Sequence, residues 1–127
     1  MNNEKIKTFS DLKAWQESHN LVLLIYHITK SFPKQEIFVL TSQMRRAVIS
    51  VTSNIAEGFG RQGYKEKVQF YYLAQGSLTE LKNQIITAKD IGYLNASDFS
   101  KLTTQANLAH QILQGLITKS KTFILKS

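Results

Sequence analysis

The sequence has 127 residues and contains no cysteine and only one proline. Without thiols the chain has no disulfide, no thiolate metal ligand and no cysteine nucleophile. This composition is compatible with a reducing compartment. The longest apolar run, Leu21–Tyr26, is far shorter than the ~20 residues that span a bilayer, and Met1–Ser10 lacks the hydrophobic region of a secretory signal. We therefore expect a cytoplasmic protein without a membrane segment.

Patterns that indicate catalysis or metal binding are also scarce. His19 and His27 are eight residues apart, and His110 is remote from both, so no pair has the i, i+4 spacing of a helical zinc site. No Glu-x-x-His motif occurs, which excludes the ligand set of a di-iron carboxylate bundle. The glycines of Gly58–Gly63 follow a predicted helix rather than a strand, so a helix end is a better interpretation than a phosphate loop. We predict that the protein is not an enzyme and has no metal or other cofactor.

Basic residues exceed acidic ones, with 16 Lys and Arg against 9 Asp and Glu, a formal charge of +7 and a pI near 9.7. This balance favours an anionic partner such as RNA or DNA. The alternative is a solvated basic surface that serves only solubility. The residues predicted to contact nucleic acid form two short clusters: Arg45 and Arg46, and then Arg61, Lys65 and Lys67.

Four segments have helical periodicity and lie close together along the chain. Ser10 is a suitable N-cap for the first segment, Pro33 ends it, and Gly92 and Ser97 mark the end of the third and the start of the fourth. Short connections favour antiparallel neighbours. The sequence therefore predicts an all-α, up-down-up-down four-helix bundle that forms one domain over residues 1–127. Its helices are expected at about 11–31, 39–59, 64–91 and 98–121.

The second predicted helix carries two stripes of side chains instead of one. A single apolar stripe is enough to bury a helix, so a second ordered stripe suggests a polar site or a further packing surface. The apolar stripe consists of Leu40, Met44, Val48, Val51 and Ile55. The polar stripe consists of Gln43, Ala47, Ser50, Asn54, Glu57 and Arg61.

The third predicted helix contains Gly76 and Ser77 in its interior, followed by Glu80. Glycine at such a position costs ~1 kcal/mol relative to alanine, which is understandable if another backbone approaches closely within the bundle or across an interface. Glu57 and Glu80 are expected on comparable flanks of neighbouring helices. They would form either an acid–base pair or, as we favour, part of a polar network. The predicted network or subunit interface consists of Ser50, Asn54, Glu57, Gly76, Ser77 and Glu80.

Several of these motifs resemble the four-helix bundle family encoded in intervening sequences of large-subunit ribosomal RNA genes. The resemblance covers nearly the whole chain and implies a ring-like homo-oligomer, typically a homopentamer. The chain is also similar to the accessory protein of diversity-generating retroelements, whose basic pentamer engages nucleic acid and a reverse transcriptase. The resemblance implies no catalytic residue. The motifs that carry it are Asp11-Leu-x-x-Trp15, Leu40-Thr-Ser-Gln43-Met-Arg45-Arg46, Asn54-Ile-Ala-Glu57-Gly58 and Gly76-Ser77-x-x-Glu80.

Two functional hypotheses follow from the residues and the resemblance together. The first is an oligomeric bundle that binds RNA or DNA through the phosphates, with affinity that falls as salt rises. The second is a protein–protein scaffold or adaptor that binds itself and a further protein without nucleic acid. A third and weaker hypothesis is an enzyme that uses Glu57 and Glu80 as acid and base.

Overall fold

The computed structural model describes residues 5–124, and within that range it contains four α-helices and no strand. The helices are α1 (Lys13–Thr29), α2 (Leu40–Phe59), α3 (Tyr64–Asp90) and α4 (Ala96–Ile124). Single 3-10 turns precede α1 at Phe9–Asp11 and join α1 to α2 at Lys34–Glu36. The predicted all-α, four-helix architecture is confirmed. The domain was predicted over residues 1–127, of which 1–4 and 125–127 lie outside the described range.

Each helix packs against two others, which gives the bundle a single core. α1 and α3 each pack on both α2 and α4. The apolar stripe of α2 lies at the centre, because Met44, Val48, Val51 and Ile55 have no exposed surface. Hydrophobic periodicity therefore predicted correctly which face of α2 is buried.

Within residues 5–124, no helix combines the length and the apolar character needed to cross a bilayer.

The helix ends differ from the predicted bounds where local hydrogen bonds compete. Asp11 Oδ2 accepts from the Thr8 N–H at 3.0 Å and closes the 3-10 turn. Consequently α1 begins only at Lys13, and Ser10 is not its N-cap. At the other end of the chain, Asn95 Oδ1 accepts from the backbone N–H of Asp98 at 2.7 Å, so α4 begins at Ala96. Asn95 thus takes the capping role that the sequence suggested for Ser97, whereas Leu12, the residue before α1, makes no side-chain cap hydrogen bond.

The connection from α3 to α4 begins with a left-handed residue, as the sequence predicts. Gly92 has a φ of +89°. The Tyr93 N–H then donates to the Ala88 carbonyl at 2.9 Å, a six-residue closure typical of a Schellman motif. This turn separates the end of α3 at Asp90 from the start of α4 at Ala96.

Among the glycines, Gly58 is the one at which an added side chain would meet the neighbouring helix most closely. A Cβ built there would lie 2.8 Å from Tyr71 Cε1 and 2.9 Å from Phe70 Cβ. Gly58 is buried inside the last turn of α2, which ends at Phe59. The glycine therefore does more than end the helix, since its missing side chain leaves room for the Tyr71 ring.

Candidate functional site

Three residues of the predicted polar network meet between α2 and α3. The Ser50 and Ser77 hydroxyl oxygens lie 2.8 Å apart and share a hydrogen bond. Asn54 Nδ2 donates to the Ser50 carbonyl at 2.9 Å and lies 3.1 Å from the Ser50 hydroxyl oxygen. All three side chains are half-buried. The cluster joins the middle of the two helices through polar contacts and holds their register.

A crevice of about 160 Å³ lies beside this cluster. Arg46 on α2 and Glu80 on α3 both line it, together with Gln43, Ala47 and the two serines. Within the described chain these two charged groups do not form an ion pair. The Glu80 carboxylate instead accepts from Gln84 Nε2 at 3.2 Å. The crevice therefore presents a guanidinium, a carboxylate and hydroxyls that are available to a partner molecule.

Glu57 does not belong to this crevice. Its carboxylate pairs with Arg61 Nη2 at 2.9 Å on the outer face of α2, where both side chains are largely exposed. The next residue, Gly58, contacts Tyr71, and Glu80 lies nine residues further along α3, roughly 14 Å at 1.5 Å per residue. The two carboxylates are therefore separated along the helix axes. They do not form an acid–base pair within one protomer.

The interior of the bundle does not explain Gly76. The residue is exposed, and no atom lies within 4 Å of the position that its Cβ would occupy. Close packing within the bundle, one of the two explanations offered for this glycine, is wrong. Leu73, one turn earlier on the same face of α3, is 57% exposed. The other explanation, a contact with a second subunit, stays a prediction.

The first predicted basic cluster divides into two different environments. Arg45 Nε donates to Thr29 Oγ1 at 3.0 Å, and its guanidinium lies 4.7 Å from the centre of the Tyr26 ring. This arginine connects α2 to α1 and is half-buried. Arg46, in contrast, is exposed at the mouth of the crevice. Of the two, Arg46 is the one whose charge faces solvent.

The residues of the second predicted basic cluster also lie in different environments. Lys65 is exposed, whereas Arg61 pairs with Glu57 and lies 4.5 Å from the centre of the Phe70 ring. Lys67 donates to the carbonyl oxygen of Phe59, and burial lowers the pKa of its ammonium group. Lys67 thus ties the start of α3 to the end of α2.

The two basic clusters are far apart on the molecule. Arg46 lies thirteen residues before the end of α2 at Phe59, roughly 20 Å along the helix, and Arg61 follows that end. The predicted nucleic-acid contacts therefore do not form one patch on a single protomer.

Two further polar contacts join elements that sequence reasoning left unconnected. Lys82 Nζ lies 2.8 Å from His110 Nδ1 and links α3 to α4. Desolvation lowers the pKa of both groups, and the Lys82 charge lowers that of His110 further. Tyr93 donates from its hydroxyl to Glu36 Oε2 at 2.7 Å, and this bond raises the pKa of Tyr93. The partners are 28 and 57 residues apart in the sequence, and no local pattern indicates them.

The side chains that could ligate a metal ion lie apart from one another in the described part of the chain. Within residues 5–124, no three His, Asp or Glu side chains come together in a group that could hold a metal ion. The histidines are spread over α1 and α4, and the carboxylates that have partners pair with cations, amides, hydroxyls or backbone N–H groups.

Comparison with known proteins places the chain in relation to one family. The sequence model of the 23S rRNA-intervening sequence protein family matches residues 10–115. A similar solved structure is a protein of unknown function from the S23 ribosomal protein family of Bacteroides thetaiotaomicron, with a TM-score of 0.76 and 17% identity. The similarity covers 82% of this chain and 97% of that one, and at this identity it shows the fold alone. No curated protein matches the sequence.

Proposed function

The chain belongs to the 23S rRNA-intervening sequence protein family, and from that premise we propose that it is an oligomeric nucleic-acid-binding bundle rather than an enzyme. The observation that carries the proposal is the unneutralised positive charge. The sequence has a formal charge of +7, yet within residues 5–124 only Lys13 and Arg61 pair with a carboxylate. Basic side chains without carboxylate partners favour a polyanion such as RNA or DNA. The proposed setting is the cytoplasm.

The proposed contacts to phosphate are Arg45, Arg46, Arg61, Lys65 and Lys67. Exposure divides these five into stronger and weaker candidates. Arg46 and Lys65 face solvent, so their charges reach a phosphate without breaking an existing bond. The other three already contact protein groups, which reduces what they gain from an anion. We expect Arg46 and Lys65 to contribute most.

We further propose that the bundle has up-down-up-down topology and assembles as a ring-like homo-oligomer, with a pentamer implied by the family resemblance. The contacts of Gly58 with Tyr71 and of Ser50 with Ser77 support antiparallel α2 and α3, because partners later on α3 lie earlier on α2. Exposed Leu73 beside the open Gly76 supports a subunit contact on α3. A ring would also repeat the separated basic clusters around one face, so that a polyanion contacts several protomers.

The experiment that tests the proposal measures binding of a 20-nucleotide single-stranded RNA and its DNA equivalent as a function of salt. The logarithm of the affinity should fall linearly with the logarithm of salt concentration, by about 0.7 for each phosphate contacted. Arg46→Gln or Lys65→Gln should weaken binding and reduce this slope. Lys101→Gln, which removes an exposed charge from α4, is the matched control. Affinity that is absent, or that does not change with salt, would contradict nucleic-acid binding.

The alternative function is a protein–protein scaffold or adaptor without nucleic acid. The exposed apolar surface around Leu73 favours it, because such surface often marks a protein contact. Sedimentation of the unmodified protein with and without RNA separates the two functions. A stable oligomer whose mass is unchanged by RNA supports the scaffold, whereas a heavier complex supports the binding protein.

A further inference from the structure

A cavity of about 260 Å³ lies at the end of the bundle where α2 ends and α3 begins. Its walls come from four parts of the chain: the segment before α1, the α2–α3 junction, the body of α3 and the last turns of α4. We call it the end cavity. It lies away from the crevice beside Ser50 and shares no lining residue with it.

The apolar wall of the end cavity is largely aromatic. Phe59, Tyr64, Phe123, Leu12 and Leu116 all line it. The rings of Tyr64 and Phe123 lie 4.8 Å apart between centroids. Flat aromatic walls favour a ligand with an aromatic or branched aliphatic body, since such bodies stack or pack closely against rings.

Two largely buried residues that carry hydroxyl groups line the same cavity. Tyr71 is 2% exposed and Ser120 is 4% exposed. Within residues 5–124, the fully buried side-chain atoms without a hydrogen-bond partner are Ser18 Oγ and Gln84 Oε1, and neither belongs to this cavity. A hydroxyl is both a donor and an acceptor, so Tyr71 and Ser120 can each donate to an acceptor bound in the cavity. Burial raises the pKa of Tyr71 to about 12, which keeps it a donor at neutral pH.

The charged residues that line the end cavity within residues 5–124 are both cationic. They are Lys67 and Lys119, and no aspartate or glutamate of this range lines it. The Lys67 ammonium lies 5.1 Å from the centre of the Phe59 ring and 5.8 Å from that of Tyr64. Burial lowers the pKa of Lys67, which means that its charge is incompletely solvated. An anion in the cavity would restore a favourable environment for this charge.

We propose that the end cavity binds a small organic carboxylate with an aromatic or branched aliphatic body. The apolar body would pack among the rings of Phe59, Tyr64 and Phe123. The carboxylate would accept from the Tyr71 and Ser120 hydroxyls and pair with the two lysines. The volume is below the ~300–1,000 Å³ of pockets that hold drug-sized ligands, so the ligand is small. This activity is separate from nucleic-acid binding, although Lys67 belongs to both predicted sites.

Titration of the full chain with 2-naphthoate, followed by calorimetry and by amide chemical shifts, tests this site. The neutral 2-naphthamide is the ligand control, and we expect it to bind at least tenfold more weakly because it lacks the charge. The chemical-shift changes should centre on the turns around Tyr71 and Ser120. Failure to bind at millimolar naphthoate, equal binding of the amide, or shifts centred elsewhere would each overturn the proposal.

Protein variants separate the cavity from general surface binding. Tyr71→Phe removes one hydroxyl with little change of shape, and Lys119→Met removes one charge; each should weaken naphthoate binding about tenfold. Lys101→Met is the matched control on α4 and should bind as the parent does. Naphthoate affinity that falls equally in Lys101→Met, or that is unchanged in both cavity variants, would refute a site in the end cavity.

Discussion

Replacement of Gly58 by alanine tests how closely α2 and α3 are packed. In an exposed helix this change usually stabilises a protein by up to ~1 kcal/mol, because alanine has the higher helix propensity and restricts the unfolded chain. At Gly58 the new Cβ would meet Tyr71 Cε1 at 2.8 Å, Phe70 Cβ at 2.9 Å and Tyr71 Cδ1 at 3.0 Å. These distances are shorter than normal carbon–carbon contacts, so one of the helices or the ring must move.

The expected size of the effect follows from what is able to move. Tyr71 is 2% exposed but lines the end cavity, so its ring has room to shift slightly. The Phe70 Cβ is attached directly to the α3 backbone, so relieving that contact displaces the helix. Overpacking of this kind costs about 1–3 kcal/mol. After the gain from helix propensity, Gly58→Ala should lower the free energy of unfolding by about 1–2 kcal/mol.

Gly115→Ala, inside α4, provides the matched control, because nothing lies within 4 Å of its Cβ position. It should raise the free energy of unfolding by up to ~1 kcal/mol. Urea unfolding followed by circular dichroism at fixed protein concentration measures both variants, and their midpoints should move in opposite directions. If Gly58→Ala is as stabilising as Gly115→Ala, the close approach of α2 and α3 described above is incorrect.

Two further predictions concern contacts between helices. Ser77→Ala should lower the free energy of unfolding by about 0.5–1 kcal/mol in urea titration. The loss of the hydrogen bond to Ser50 outweighs the gain in helix propensity. Ser53→Ala, at an exposed α2 position, is the control and should not be destabilising. His110 has a lowered pKa in the folded protein, so the folded state binds fewer protons than the unfolded state. Stability should be complete above the ordinary pKa of 6.5 and should fall as the pH drops below it. His110→Gln should flatten stability between pH 5 and 7, and an unchanged pH profile would show that Lys82 and His110 do not interact as described.

Local sequence patterns predicted the helices and their buried faces well. The apolar stripe of α2 depends only on spacing along one helix, and its central residues Met44, Val48, Val51 and Ile55 are fully buried. The left-handed Gly92 is also predictable, because a glycine after a long periodic segment is the usual helix end. Helix starts were less predictable, since Asp11 caps a 3-10 turn before α1 and Asn95 accepts from the Asp98 N–H in the first turn of α4.

The candidate site was only partly predictable. The polar stripe correctly indicated that Ser50 and Asn54 lie together, because both are on one helix face. Their partner Ser77 was included in the predicted network, but nothing in the sequence specified a 2.8 Å contact to Ser50. Glu57, also on this stripe, pairs with Arg61 and does not meet the three residues, and its place in a subunit interface stays a prediction. The spacing of residues along one helix does not indicate which part of that helix contacts its neighbour.

By itself the sequence determined the helical class, the number of helices, the buried face of α2 and the excess of positive charge. Each of these depends on residue type and on spacing within a few turns. Only the tertiary structure decided that Glu57 and Glu80 are separated, that Lys67 turns toward Phe59, and that Lys82 meets His110. These outcomes depend on the axial register between packed helices. The register depends on all the contacts between the two packed helix surfaces, including the space left at Gly58. A pattern within one helix does not contain that information.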